Sequence, residues 1–157
     1  MDEVKIMEMA VRESKENIAN NYQKGGPFGA VIVKDGKIIA KAHNTVVESK
    51  DPTAHAEVNA IRQAAKILNT HDLSDCILFT SAEPCPMCLS AIIWANITKV
   101  YYANTKEQTA EIGFRDDMIY EYLKGSAKNL IQMQHIDSKE ATEVFTKFQE
   151  MQDKIIY

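Results

Sequence analysis

Two short pieces restrict the fold of this chain more than anything else in it: Thr53-Ala54-His55-Ala56-Glu57 and Glu83-Pro84-Cys85-Pro86-Met87-Cys88. Each stands before a run of helical periodicity. An imidazole and two thiolates form a donor set that suits zinc. A fold that unites them must bring the starts of two helices to one point. Cys85 and Cys88 are i and i+3 on a helix, so both sulfurs can face one metal. Three protein ligands leave one tetrahedral position for water, and that open position separates a catalytic zinc from a structural one. Glu57 follows His55 by two positions, within reach of such a water without ligating the metal.

The order H-x-E then P-C-x-x-C is the signature of zinc nucleobase deaminases. A lone CxxC also serves redox and structural zinc sites. A closed Cys2His2 site is one competing reading, with His43, His71 or His135 as fourth ligand, and it leaves Glu57 without a task. A redox pair is another, opposed by Pro86 after the first cysteine and by the lack of a thioredoxin-like context. In the deaminase reading, an exocyclic amine is replaced by oxygen when water attacks an electron-poor ring carbon. Zinc lowers the pKa of its water to about 7, which makes hydroxide available as nucleophile. Glu57 then shuttles the proton from water to a ring nitrogen and on to the leaving amine, a role worth roughly 10²–10⁴-fold in rate.

A chain of 157 residues predicts one domain spanning 1–157. The formal net charge of −4 argues against a nucleic-acid groove. Three cysteines, two of them in the motif, predict a reducing, cytoplasmic setting, with Cys76 as a small buried residue. No signal peptide and no membrane span are predicted: acidic residues begin at the second position and no apolar run is long enough.

Periodicity predicts a first amphipathic helix over 2–22, through Val4, Met7, Val11, Ile18 and Tyr22. A strand over 28–33, the Asp35-Gly36 turn and a strand over 37–42 make a hairpin. Pro52 and Thr53 mark the next helix, with Thr53 as its cap, running to about Leu68. A short strand over 77–80, a helix from Cys85 and a strand over 99–103 follow. Residues 104–125 are less regular around Gly113-Phe114-Arg115-Asp116-Asp117. A last strand over 130–136 precedes a helix capped by Asp137 or Ser138, with Glu140 completing a capping box and Val144, Phe145 and Phe148 on its buried side. The order predicts a three-layer α/β/α domain with a sheet of about five strands.

With the joined motifs, GGPFGAVIVKDG (25–36), DPTAHAEV (51–58), TSAEPCPMCLSAIIWA (80–95) and GFRDDMIY (113–120) resemble the cytidine deaminase superfamily and, within it, the bacterial-type guanine deaminases. The resemblance implies a cytidine-deaminase-like fold and the conversion of guanine to xanthine and ammonia. It implies one zinc per subunit on His55, Cys85 and Cys88, with Glu57 as shuttle. Phe28, Asn44, Trp94, Asp116 and Tyr157 match positions that line or close the purine pocket. The resemblance also implies a second acid that assists proton transfer, at Glu143 or, in competition with it, Glu140. A homodimer is implied, in which the C-terminal segment of one subunit can complete the other's site.

The pocket residues also have plainer readings. Phe28 and Trp94 can stack on a base or belong to the core. Asn44 offers a donor and an acceptor, or is a turn residue. Asp116 is an acceptor for N–H groups or an ordinary loop acid. Rival functions are a tRNA adenosine deaminase, another base or nucleoside deaminase, and a zinc-stabilised interaction module without turnover.

Overall fold

In the computed structural model, which describes residues 1–114, 116–127 and 129–157, helix α1 spans Glu3–Ser14. Asp2 caps it by accepting from the Lys5 N–H. It stops eight residues short of the expected Tyr22, and a 3-10 turn at Ile18–Asn20 follows. Asn17 is the physical reason. Its side chain turns inward, 2% exposed, and donates to two carbonyls far along the chain, whereas Ile18 and Tyr22 stay exposed.

Strands β1 (Gly29–Lys34) and β2 (Lys37–His43) form the expected hairpin. A short helix α2 (Val46–Ser49) interrupts the polar loop before α3 (Ala56–Leu68). Strand β3 (Cys76–Ala82), helix α4 (Pro86–Trp94) and strand β4 (Lys99–Asn104) come next. The sheet order is β2-β1-β3-β4, with β3 antiparallel to β1 and parallel to β4.

Alternation along β1 explains the layering. Ala30 and Ile32 join Leu78, the Ala56-Ala60-Ala64 stripe of α3 and Ile92 of α4 in one core. Val31 and Val33 join Phe79 and the α1 residues Ile6 and Ala10 in the other. A strand buried on both faces reads as a continuous apolar run, as GAVIV does. The close fit of α1 depends on Gly29, where a Cβ would lie 2.2 Å from the Ala10 carbonyl oxygen. These are the three layers expected.

Beyond β4 the sequence reading needs correction in three places. Residues 104–125 hold two short helices, α5 (Lys106–Glu111), closed by a Thr105/Gln108 capping box, and α6 (Asp117–Leu123); Arg115 lies outside the described residues. The strand expected over 130–136 does not form, and the sheet has four strands. Its apolar residues Ile131, Met133 and Ile136 are exposed, so no burial draws the segment to a sheet edge. Helix α7 (Lys139–Glu150) is capped by Ser138, which accepts from the Ala141 N–H, with no Asp137/Glu140 box. Its expected buried side is open: α7 buries none of its residues, and Phe145 is 80% exposed.

Candidate active site

Both halves of the motif place a ligand at a helix N-cap. His55 holds that position on α3 with extended backbone, and Cys85 holds it on α4. Thr53, the expected cap, instead donates its hydroxyl to Asp51. Pro86 sits just inside α4, where its missing N–H costs no helical hydrogen bond. N-cap side chains project past the helix end, so two helix starts that meet can share a ligand between them. Here His55 Nδ1 lies 3.6 Å from Cys85 Sγ and 3.4 Å from Cys88 Sγ. Ligand bonds of zinc at tetrahedral angles put an imidazole nitrogen and a thiolate sulfur about 3.5 Å apart. All three donor atoms fall within 4.8 Å of one another. The set therefore fits zinc in spacing as well as in chemistry.

The local electrostatics agree with that fit. Of the two thiols, Cys85 ionises first, pushed down to about 4 chiefly by a hydrogen bond from the Cys88 side chain and also by His55. Cys88 is pushed upward by the same contact and by burial. Its backbone N–H points at Cys85 Sγ from 3.4 Å, so the cap position also stabilises a thiolate.

Glu57 stands one helical position inside the α3 terminus and is 6% exposed. Burial pushes its carboxyl upward, against the hydrogen bonds that favour the charged form. Oε1 accepts from the Thr80 hydroxyl at 3.0 Å, and Oε2 lies 3.4 Å from Cys88 Sγ. It is thus beside the ligand cluster without belonging to it.

A cavity of about 550 Å³ opens in front of these groups, of the size that small-ligand sites have. His55, Glu57 and Cys85 form its floor, and Phe28, Asn44, Phe114 and Asp116 are among its walls. Phe28 and Phe114 meet edge to face at 5.0 Å, with Gly26 leaving room for both rings. Asn44 Oδ1 accepts from the backbone N–H groups of Gly26 and Val46. Its acceptor half is thus used within the protein, and its NH₂ is what it can offer a ligand. Asp116 starts α6 without a side-chain cap bond, and burial followed by the nearby Cys85 charge raises its carboxyl.

The chain brings together His55, Cys85, Cys88, Glu57, Phe28, Asn44 and Asp116. It does not bring Trp94, Glu143 or Tyr157 to this cavity. Trp94 and Tyr157 meet each other at 5.9 Å on the outer side of α4, and both are largely exposed, as is Glu143 on α7. Three residues shape or support the site without a role that spacing assigns to them. Phe114 lies in the GFRDDMIY stretch, where no periodicity marks it. Thr80 is a polar residue in a strand buried on both faces, which was a usable signal. Asn17 interrupts a helical pattern and offered no other sign.

A buried acid beside a His-Cys-Cys cluster, at the meeting point of two helix starts on an α/β/α sheet, defines the class of zinc-dependent deaminases. A model of the cytidine and deoxycytidylate deaminase zinc-binding region matches residues 1–104, and the chain belongs to that family. Guanine deaminase of Bacillus subtilis (strain 168) is 59% identical over 104 residues, 66% of this chain and 67% of that protein. The crystal structure of a guanine deaminase from Bacillus subtilis matches with a TM-score of 0.92 and 44% identity, over 100% of this chain and 99% of that one. A tRNA-specific adenosine deaminase of Aquifex aeolicus (strain VF5) is 48% identical over 99 residues. That match spans 62% of this chain and 63% of the relative, less than two thirds of its length.

Proposed function

We propose that this protein hydrolyses guanine to xanthine and ammonia. The observation that carries the reading is the structural match to a guanine deaminase over 100% of this chain, against 69% for a structure from a study of tRNA:A34 deaminases. His55, Cys85 and Cys88 hold the zinc, which when bound supplies a nucleophile of hydroxide strength at neutral pH. Glu57 takes a proton from the attacking water, gives it to a ring nitrogen and helps protonate the departing amine. Its burial suits that exchange, because a carboxyl pushed toward neutrality can both accept and return a proton.

The cavity walls suit a flat, polar-edged ligand. Phe28 and Phe114 supply aromatic faces, the Asn44 NH₂ addresses an acceptor, and Asp116 addresses N–H groups. A second copy of the chain completes the site in this reading. Trp94, Tyr157 and the apolar side of α7 are exposed here, and an apolar surface of that kind marks an interface. Glu143 on the same helix would reach a partner's cavity and not its own. The described residues contain no helix long and apolar enough to cross a membrane, and the three free cysteines suit a reducing, cytoplasmic compartment.

Deamination of adenosine in tRNA is the rival, supported by the 48% identical relative and opposed by the net charge of −4. Ammonia release from guanine, adenine, cytosine, cytidine, guanosine and tRNA by the zinc-loaded protein separates the readings. Release from guanine is expected. Release only from another base or nucleoside would overturn the substrate and leave the zinc chemistry standing. In the same assay Glu57→Gln is expected to keep its zinc and lose about 10²–10⁴-fold in turnover. Near-parental turnover in that variant would remove Glu57 from the proton path.

A further inference from the structure

Thr80 lies in the middle of β3, paired to Ala30 on one side and Tyr102 on the other. It is 1% exposed on a strand whose neighbours are almost all apolar. Two sheet partners fix its backbone, and a β-branched side chain has little freedom at χ1. Its hydroxyl is therefore held in place before any ligand arrives. That hydroxyl has two neighbours: Glu57 Oε1 at 3.0 Å and the Ala82 carbonyl oxygen at 3.1 Å.

Hydrogen counting gives this pair of contacts a meaning. A threonine hydroxyl has one hydrogen to donate and two lone pairs to accept with. A charged Glu57 and the Ala82 carbonyl are both acceptors, so the single hydrogen serves one of them at a time. While Glu57 is charged, the hydrogen points to its carboxylate. A buried carboxyl without a partner is costly, and a partner fixed by the sheet limits the directions in which Oε1 can turn.

We propose that Thr80 is a positioning residue for Glu57: its buried hydroxyl, fixed by two strand partners and bonded to Oε1 at 3.0 Å, keeps the carboxyl aimed at the ligand cavity. The inference rests on the shuttle role given to Glu57 above. It assigns Thr80 no contact with substrate and no place among the zinc ligands. The net transfer is unchanged: the proton passes between water, Glu57 and the base.

The role has a specific kinetic signature. Thr80→Val removes the hydroxyl at nearly constant shape, and Thr80→Ser restores it. In the zinc-loaded, full-length protein we expect kcat of the valine variant to fall by about 10- to 100-fold, the effect of one hydrogen bond to a charged group. KM should stay within about twofold, because ground-state binding is untouched. Zinc should remain at one per chain, and the serine variant should recover most of the lost turnover. Thr80→Ala serves if the valine variant folds poorly, since it lacks the hydroxyl without adding bulk.

A kcat within about twofold of the parent in either hydroxyl-free variant would overturn the proposal. So would loss of zinc, a KM rise matching the kcat loss, or a serine variant as slow as valine. Each of these marks Thr80 as a plain structural residue. Parent and Glu57→Gln are run alongside, on whichever base releases ammonia from the parent. A parent active on a base other than guanine sinks the substrate reading alone and leaves Thr80 testable. A parent silent on every base, on the nucleosides and on tRNA overturns the shuttle and Thr80's role with it.

Discussion

Asn17 brings no chemistry to the reaction, yet two walls of the cavity are tied through its amide. Its Nδ2 donates to the Gly26 carbonyl at 3.2 Å and to the Asn44 carbonyl at 2.9 Å. Asn44 Oδ1 in turn accepts from the Gly26 N–H, so the loop before β1 and the exit of β2 are locked together. The approach is tight enough that a Cβ on Gly25 would lie 2.3 Å from the Asn44 carbonyl oxygen. Asn17→Ala leaves buried carbonyls without a partner and is expected to lower stability by about 1–3 kcal/mol. Since the orientation of Asn44 goes with it, KM for guanine should rise more than kcat falls. Thermal melts and steady-state kinetics on the purified variant test both parts, and a parental KM would separate Asn17 from the site. His55, Cys85, Cys88 and Glu57 were legible from spacing, because metal ligation demands particular atoms at particular intervals. Asn17 was not, because its partners lie up to 27 positions away in sequence.

At the scale of elements, the entry to α3 departs from the cap that residue type alone predicts. Thr53 has the residue type of a cap, but a turn built on Asp51 claims it. Asp51 Oδ1 accepts from the Thr53 N–H at 2.8 Å and from its hydroxyl at 2.6 Å, and Arg62 of α3 reaches both residues. The cap position passes to His55, which is thereby left free to face the cluster. These bonds, the Thr53 hydroxyl first, hold the Asp51 carboxyl below its ordinary value of 3.8. A depressed value in the folded state means stability that is present above pH 3.8 and lost as pH falls through the folded value. Asp51→Asn should therefore flatten the fall of Tm on the acid side while lowering Tm at neutral pH. Melts of parent and variant between pH 7 and about pH 3 check this, and parallel curves would exclude Asp51 from the acid response. The hairpin, α3, β3, α4 and β4 could all be placed from periodicity. The fifth strand over 130–136 could not, because alternation signals a half-buried strand only where a sheet edge is there to receive it.

For the whole molecule, the layered core accounts for residues 1–104, and the rest of the chain remains largely exposed. Helix α7 has an apolar side in Val144, Phe145 and Phe148 that none of the described residues of its own chain covers as a layer. If the C-terminal segment completes a partner's cavity, then neither a Glu57→Gln chain nor a chain lacking Tyr157 should turn guanine over well. Refolded together, they should regain activity. The mixed dimer holds one site with an intact Glu57 and, from the other chain, an intact Tyr157. Titration of one chain into the other, read by ammonia release and by light scattering, measures this. Activity that merely equals the sum of the two separate chains would mean that each site is complete within one subunit.

The His-Cys-Cys cluster, the acid beside it, the two-sided strand and the order of layers were determined by the sequence alone. Each is written in local spacing: i and i+3 for the sulfurs, two positions from histidine to acid, an unbroken apolar run for a buried strand. Tertiary structure decided what depends on distant partners. It turned Asn17 inward and ended α1 early, aimed Thr80 at Glu57, and committed the acceptor of Asn44 to the backbone. It also left Trp94 against Tyr157 and α7 uncovered. A pattern states which face of an element is apolar, and only the packed chain shows what covers that face.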